Sequence, residues 1–400
     1  MLRLVVIKPS NWSSKELVGH PEHRAFLRLA FNLSNVKAYL IGEGGYYVHL
    51  KVRNITIVDL PTRKLRMLDW LPIISLILLI RPNIIVVLGL ANHIPALLSK
   101  LFLPHAKYYM FVIGEFEWHY SSSKLSGKIA NLIAIGLFSA LFKVLGNRLV
   151  SDIYAISNYI KRCLVRINRR AGERAIVYYY DVPYATPPAD VCYEKAKSPV
   201  FKVLTIAGVE FRKGLHDVVG SAVIVNKILG EDRNKIRFII KGNIRDWQYW
   251  HQLSKLINRF NADNIEIVTT FLNYEDLVAL YRDSHIFLFP TYADALGLVA
   301  LEALSQRLPV ITYQTGGVVD MIFDGVNGYL VRPGARLDLA EKILELMRNR
   351  EKYTSLCTRT LETLSYYWQG KLPFENATEN IFREMRNIVR YYYFSRSTDP

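Results

Sequence analysis

Short apolar runs alternate with longer amphipathic segments along most of the chain. In the first half, the runs predict strands at Leu2–Ile7, Ala38–Ile41, Thr56–Asp59, Ile84–Leu88, Tyr108–Ile113 and Ile153–Ile156. Helices are predicted between them, at Glu22–Leu33, Asp69–Ile80 and Lys124–Phe142. Because strand–helix alternation is typical of a parallel sheet with helices on both faces, we expect an α/β unit here.

A stretch with three prolines, Asp181–Asp190, interrupts this alternation, and we interpret it as a linker. The pattern then restarts, with strands at Phe201–Ile206, Arg237–Ile240, Ile265–Val268, Ile286–Phe289 and Pro309–Thr312, and helices at Asp338–Arg348 and near Phe374–Arg390. We therefore predict a first domain at 1–182, a linker at 183–199, a second domain at 200–373, and a helix at 374–400 that crosses back to the first domain. Ligands of such doubly wound sheets bind outside the carboxyl ends of the strands.

Composition supports two globular domains. The chain has 400 residues, of which 51% are hydrophobic and 22% charged, which is enough apolar material for two cores. Cys163, Cys192 and Cys357 show no close Cys/His spacing, so we expect neither a zinc site nor a disulfide framework. This cysteine usage predicts a reducing, cytoplasmic compartment. The N-terminus enters its first strand without a signal-peptide pattern.

The net charge of +16 is unevenly distributed. Residues 1–198 carry 26 Lys/Arg and 12 Asp/Glu (26 − 12 = +14), whereas residues 199–400 carry 25 and 23 (25 − 23 = +2). A basic half indicates an anionic partner: a phosphorylated substrate, an anionic membrane surface or nucleic acid. A solvated basic surface is the alternative.

Two apolar stretches, Leu71–Ile80 and Ile129–Phe142, are shorter than the roughly 20 residues that cross a bilayer, so no transmembrane segment is predicted. The first predicts a buried core helix. Lysines such as Lys128 and Lys143 flank the second, which makes a membrane-surface helix and a core helix equally compatible with it.

The segment Pro290–Ala303 is the most informative chemically. It follows the apolar strand Ile286–Phe289 and opens a helix whose first turn carries Gly297. Backbone N–H groups at a helix start attract anions, and a glycine lets a phosphate come close. Asp294 on the loop and Glu302 on the helix could both reach polyol hydroxyls. This combination suits a nucleotide-sugar.

Other loops of the second half also follow strands. They are the loop with Gly208, Arg212 and Lys213, the loop Lys241-Gly242-Asn243, and the turn Gln314–Asp320 with its paired glycines. Adjacent cations after a glycine loop suit a diphosphate, since Arg offers a fork of donors and Lys a mobile charge. Each loop taken alone is equally compatible with an ordinary turn.

Taken in order, these residues resemble the retaining glycosyltransferases of the GT-B fold, family 4. The resemblance covers roughly residues 200–335 and is carried by Lys213-Gly214, Pro290–Ala303, Leu308–Ile311, Gly316–Asp320 and an Asn-Gly hairpin at Asp324–Leu330. It implies two Rossmann-like, doubly wound domains that face each other across a cleft. The first would bind the acceptor and the second the nucleotide-sugar donor.

The resemblance also implies residue roles. Lys213 would hold the donor diphosphate, Glu302 the ribose hydroxyls and Asp294 the transferred sugar, and these three form the expected catalytic set. The N–H groups of Gly297 and Leu298, with Val299, would contact a phosphate.

This chain departs from the family at several positions. The family's arginine five positions before Lys213 is Gly208 here, and Arg212 is the candidate substitute. Gly242 is expected to line the donor site. In the first domain, Glu115, Glu117 or His119 could serve near the sugar, and a helix cap or surface role is the alternative for each.

The expected activity is sugar transfer from a nucleotide-sugar to an acceptor hydroxyl with retention of configuration. No Asp-x-Asp motif occurs, so we expect a metal-independent enzyme without a cofactor, whose donor is a nucleotide-diphosphate sugar. The expected acceptor is a carbohydrate or a lipid-linked molecule, reached from the inner face of an anionic membrane, and no nucleic acid is expected. The alternatives are a GT-B nucleotide-sugar epimerase, a glycan phosphorylase, and a non-catalytic module that binds a nucleotide-sugar or nucleic acid.

Overall fold

The computed structural model describes residues 2–7, 36–44, 48–52, 55–61, 70–88, 93–113, 125–180, 185–270, 272–374, 376–381 and 383. These residues divide into two compact units. The first contains the described residues up to 180 and from 370 onward, except 125–129. The second contains 125–129 and 185–369. Among the predicted elements, the helix Glu22–Leu33 and most of the helix near Phe374–Arg390 lie outside the described residues.

The first unit is built on a largely parallel sheet. Its strands are β1 Leu2–Ile7, β2 Val36–Gly44, β3 Val48–Val52, β4 Ile55–Pro61, β5 Ile84–Leu88, β6 Lys107–Val112, β7 Asp152–Ala155 and β8 Ile176–Tyr179, with β15 Leu372–Pro373 from the end of the chain. In the described residues the strand order is β15-β8-β7-β6-β5-β1-β2-β4-β3, and only the β3–β4 pair is antiparallel. The predicted strands are confirmed, and β3, β8 and β15 are additions to the predicted set.

The helices of the first unit are α1 Trp70–Ile80, α2 His93–Phe102, α4 Asn158–Ile167 and α5 Arg169–Glu173, together with α3 Leu125–Leu149 from residue 130 onward. The prediction that α1 is a buried core helix is wrong for half of its surface. Ile73 and Ile77 are buried, whereas Leu71 and Leu79 are 60% and 79% exposed. Across the described ranges, no helix combines the length and apolarity needed to cross a membrane.

The second unit contains a parallel sheet of β9 Phe201–Ile206, β10 Ile236–Lys241, β11 Ile265–Val268, β12 Ile286–Phe289, β13 Val310–Tyr313 and β14 Gly328–Val331. Its helices are α6 Asp190–Ala196, α7 Leu215–Leu229, α8 Trp247–Arg259, α9 Tyr274–Asp283, α10 Leu298–Ser305, α11 Arg336–Arg348 and α12 Arg350–Trp368. The strand order in the described residues is β11-β10-β9-β12-β13-β14. All residues of β12 and β13 are buried, as expected for central strands covered on both faces.

The Asn-Gly segment Asp324–Leu330 does not form the expected hairpin. It leads into β14, which pairs in parallel with β13. Asn327 is fully buried, where its side-chain oxygen accepts the N–H of Phe323 at 2.8 Å and its amide nitrogen donates to Thr363 Oγ1 at 2.7 Å. The asparagine therefore anchors the turn to α12, an interaction that a local turn pattern does not contain.

A disulfide joins Cys192 on α6 to Cys357 on α12. The expectation that the chain has no disulfide is therefore wrong for this pair. The two cysteines are separated by 165 residues, so no local spacing marks them, and the packing of α6 against α12 brings them together. Both are buried, while Cys163 is half-buried and takes no part in this disulfide.

Candidate functional site

The site residues predicted in the second half lie in loops at the carboxyl ends of adjacent strands. β9 pairs with β10 on one side and with β12 on the other, and β12 pairs with β13. Because all these strands are parallel, their carboxyl ends lie at the same edge of the sheet. The loops after β9, β10, β12 and β13 therefore share that edge.

The loops after β9 and β12 are fastened to each other by their backbones. After β9, residues Phe211–Lys213 form a single 3₁₀ turn that ends at Gly214. The N–H of Tyr292 donates to the carbonyl of Arg212 at 2.8 Å. Gly214 has a φ of +68°, and a Cβ there would lie 1.9 Å from the carbonyl oxygen of Pro290. A side chain at 214 would therefore push the two loops apart.

Lys213 and Asp294 form an ion pair across these loops. The Lys213 ammonium lies 2.5 Å from Oδ2 of Asp294, and the two side chains are only 12% and 15% exposed. The ammonium also lies 5.3 Å from the centre of the Phe289 ring. The structure thus brings together two of the three predicted catalytic residues, but as partners of each other.

The pKa of Asp294 reflects this pairing. Burial alone would raise it, but the positive charges of Lys213 and Arg212 and the hydrogen bond from Lys213 outweigh burial and lower it. Asp294 is therefore a carboxylate at neutral pH.

The same carboxylate fixes the start of α10. Oδ1 of Asp294 accepts the N–H of Gly297 at 3.0 Å, and Gly297 adopts a left-handed φ of +84° immediately before the helix. Leu298 and Val299 then begin α10, and first-turn N–H groups have no acceptor within their own helix. These N–H groups and the helix dipole favour an anion at this end of α10.

Glu302 lies one turn into α10 and is held by a tyrosine of α9. The hydroxyl of Tyr281 donates to Oε2 of Glu302 at 2.8 Å, and it lies 3.3 Å from the carbonyl of Val299. Tyr281 itself is fully buried. Sequence reasoning named Glu302 but not Tyr281, which limits the positions that the carboxylate can take.

The paired glycines after β13 support the loop after β12. A Cβ on Gly316 would lie 2.2 Å from the Asp294 carbonyl oxygen, and one on Gly317 would lie 2.0 Å from that of Ala295. The N–H of Gly317 also donates to the Asp294 carbonyl at 2.8 Å. Glycine at both positions therefore lets the backbone of this turn lie against the backbone of the loop after β12. This agrees with the alternative that the segment is an ordinary turn.

A buried carboxylate that sequence reasoning missed lies beneath the same loops. Asp217, in the first turn of α7, is fully buried and accepts hydrogen bonds from the hydroxyls of Tyr292 at 2.6 Å and Tyr313 at 2.8 Å. Arg336 on α11 also donates to it. Burial would raise the pKa of Asp217, but the hydrogen bonds from Tyr292 and Arg336 lower it. Asp217 thus links α7, α11 and two strand-end loops.

Of the other predicted binding residues, Arg212 is engaged locally. Its guanidinium pairs with Glu210 at 3.0 Å and donates to the carbonyl of Ala293 at 3.0 Å. Gly242, after β10, lets that loop approach the β9 loop, since a Cβ on it would lie 1.7 Å from the Ala207 carbonyl oxygen. Gly208 faces the side chain of Arg245, whose Cδ and Nε would lie 2.9 Å from a Cβ at 208.

The predicted first-domain residues Glu115, Glu117 and His119 lie outside the described residues. Within the described ranges, no group of three or more His, Cys, Asp or Glu side chains could hold a metal ion. The described part of the site offers cations, helix N–H groups and two carboxylates. This set can hold a phosphate and accept hydrogen bonds from hydroxyl groups.

The chain is similar to known glycosyltransferases. Over 200 residues it is 24% identical to the capsular polysaccharide biosynthesis glycosyltransferase CapM of Staphylococcus aureus, which covers 50% of this chain and 48% of that protein. The chain therefore spans about half the length of this curated relative.

Solved structures share its fold. Sucrose-phosphate synthase from Thermosynechococcus elongatus matches with a TM-score of 0.69 and 13% identity, over 99% of this chain and 100% of that one. HepE from Anabaena, solved with UDP and glucose, matches with a TM-score of 0.66 and 14% identity, over 98% and 100%. The predicted GT-B type of α/β fold is confirmed. Residues 194–361 match the family model described as glycosyl transferases group 1. Over this segment, which is less than half of the chain, the sequence is similar to that family.

Proposed function

We propose that this chain transfers a sugar from a nucleoside diphosphate sugar to an acceptor hydroxyl, with retention of configuration at the anomeric carbon. The observation that carries the proposal is the Lys213–Asp294 pair, 2.5 Å apart, beside the start of α10. A cation next to a helix start suits a diphosphate leaving group. The match of residues 194–361 to the family model and the UDP bound by HepE support a nucleotide-sugar donor.

In this proposal, the chain's own charges stabilise the leaving diphosphate. As the glycosidic bond breaks, negative charge develops on the diphosphate, and Lys213 with the N–H groups of Leu298 and Val299 would stabilise it. Glu302, oriented by Tyr281, would accept hydrogen bonds from the ribose hydroxyls. Asp294 would accept one from the transferred sugar. The proposal includes no metal ion and no cofactor.

Ligand binding tests the donor class first. Thermal shifts with UDP-, GDP- and ADP-sugars should identify a donor, because a ligand that binds the native state raises the melting temperature with its concentration and affinity. With that donor, Lys213→Ala and Glu302→Ala should lose turnover, whereas Lys227→Ala, which removes an exposed lysine of α7, should behave as wild type. Retained turnover in both site variants would refute these roles.

The product distinguishes transfer from the epimerase alternative. Retention predicts that NMR shows the same anomeric configuration in the product as in the donor. An inverted product would refute the stereochemical part of the proposal. A donor whose sugar is epimerised without any acceptor would indicate an epimerase instead.

We further propose that the acceptor is lipid-linked and that α3 contacts an anionic membrane. The exposed apolar residues Ile133, Leu137 and Val144 recur at helical spacing on α3, and Phe138 and Phe142 are buried. The exposed cations Lys143 and Arg148 lie at the end of the same helix. Apolar and basic side chains on one exposed helix suit an anionic lipid surface.

Vesicle flotation tests this contact. The wild type should float with vesicles that contain phosphatidylglycerol at low salt, and not with pure phosphatidylcholine vesicles. Ile133→Ser combined with Val144→Ser should abolish flotation. The control, Leu79→Ser, removes an even more exposed apolar side chain from α1 and should leave flotation unchanged. An unbound wild type, or an equal loss in the control, would refute the assignment to α3.

A further inference from the structure

The loop after β10 carries an arginine that sequence reasoning did not single out. Arg245 lies between the Lys241-Gly242-Asn243 segment and α8, at the same sheet edge as Lys213 and Asp294. Its side chain is exposed.

The backbone ties Arg245 to the loop after β9. The N–H of Val209 donates to the carbonyl of Asn243 at 2.9 Å, and the N–H groups of Arg245 and Asp246 donate to the carbonyl of Val209 at 3.3 and 3.1 Å. Asp246 then caps α8 by accepting the N–H of Tyr249 at 3.1 Å. The base of the Arg245 side chain is therefore fixed relative to the loop that carries Gly208 and Lys213.

The other cations at this edge are already engaged. Arg212 pairs with Glu210, and Lys213 pairs with Asp294. Lys241 is buried and donates to the carbonyl of Thr270 at 2.7 Å. In contrast, no residue that the structure describes pairs with the Arg245 guanidinium or accepts a hydrogen bond from it.

The Arg245 side chain lies against Gly208. A Cβ built on Gly208 would lie 2.9 Å from both Cδ and Nε of Arg245. The far end of the arginine therefore occupies the place from which a side chain at position 208 would extend. The loop after β10 thus places the Arg245 side chain beside Gly208, where the loop after β9 has no side chain of its own.

We propose that Arg245 binds the diphosphate of the donor and is the guanidinium that the loop after β9 lacks. This inference rests on the proposed nucleotide-sugar function. A guanidinium presents a planar fork of N–H donors that matches phosphate oxygens, and it remains charged at every physiological pH. Arg245 can bind phosphate oxygens in this way without first breaking an ion pair with a described residue.

Titration calorimetry with UDP, GDP and ADP, and with their monophosphates, tests the assignment. For the diphosphate that wild type binds most tightly, Arg245→Ala should weaken binding at least tenfold (tenfold corresponds to about 1.4 kcal/mol), since it removes hydrogen bonds between charged groups. The loss should be smaller for the matching monophosphate. Arg259→Ala removes an equal charge from the other end of α8 and should leave both affinities unchanged.

A swap of the arginine between the two loops makes the test specific. In the double variant Gly208→Arg with Arg245→Ala, the new side chain enters the space that Arg245 vacates, so it should recover most of the lost affinity. The double variant Gly208→Ala with Arg245→Ala should not. Circular dichroism should match wild type in every variant.

Several results would overturn the inference. They are Arg245→Ala binding within twofold of wild type, an equal loss in Arg259→Ala, or a Gly208→Arg double variant that binds no better than Arg245→Ala alone. If wild type binds none of the three diphosphates, the proposed donor class is refuted and the inference with it. If wild type binds a diphosphate and Arg245→Ala binds it equally well, only the inference about Arg245 is refuted.

Discussion

The disulfide between Cys192 and Cys357 should contribute measurably to the stability of the second unit. It closes a loop with a sequence separation of 165 residues. In the chain-entropy model, a crosslink over that span removes about 17 cal/mol/K from the unfolded ensemble, which corresponds to about 5 kcal/mol at 25 °C. Native disulfides typically contribute 2–5 kcal/mol, so we expect Cys192→Ala with Cys357→Ala to lose a free energy of unfolding in this range.

Guanidinium unfolding of the oxidised wild type, the reduced wild type and the double alanine variant measures this contribution. The reduced wild type and the variant should unfold at lower denaturant concentrations than the oxidised wild type. For a unit of this size their melting temperatures should be about 10 °C lower. Cys163→Ala is the matched control, since it removes the third cysteine and leaves the crosslink intact.

Thiol counting separates the crosslink from the effect of the substitutions. Oxidised wild type, alkylated in denaturant, should show one reactive thiol, and reduced wild type should show three. Three reactive thiols without reductant would show that the disulfide does not form. Equal unfolding free energies for oxidised wild type and the variant would refute the entropic reasoning.

Three further outcomes follow from the site. Asp217→Ala should lower the free energy of unfolding by about 3–5 kcal/mol, because it leaves buried hydrogen-bond donors without an acceptor. Urea denaturation measures this loss. The interactions that lower the pKa of Asp294 also stabilise the folded state. This stabilisation is complete above the unfolded pKa of about 3.9 and is lost as the pH falls through the lower folded pKa. The difference in unfolding free energy between wild type and Asp294→Asn should therefore shrink below about pH 4. A constant difference from pH 7 to pH 2 would contradict it. Tyr281→Phe should weaken nucleotide binding about fivefold in calorimetry, because it releases Glu302; unchanged affinity would contradict this positioning role.

The strands at the centre of each sheet could be predicted closely from the sequence. β5 and β12 are buried along their whole length, so they form continuous apolar runs whose ends mark the strand ends. β3 is different, because it pairs only with β4 at the sheet edge and its sequence, Val48–Val52, alternates apolar and polar residues over a short span. Which side of α1 is exposed could not be predicted either. Apolar residues occur on both faces of this helix, so the sequence does not show which face is buried.

The loops that form the site could be predicted because parallel strands bring their carboxyl ends to one edge. Which side chains pair there could not, since that depends on distances between residues far apart in sequence. Asp217 is separated from Arg336 by 119 residues, and Tyr281 from Glu302 by 21. No local pattern marks such partners, just as none marks the disulfide.

These pairings change what the charges of the site can do. In the sequence, Arg212 and Lys213 look like a positive clamp, but in the structure Glu210 and Asp294 balance them one for one. Two balanced pairs attract a diphosphate far less than two free cations would, and the second half of the chain carries only a small net charge. The attraction must then come from groups without a balancing carboxylate. Among the described residues at this edge, these groups include the first N–H groups of α10 and the exposed guanidinium of Arg245, whereas Lys241 is buried against a carbonyl.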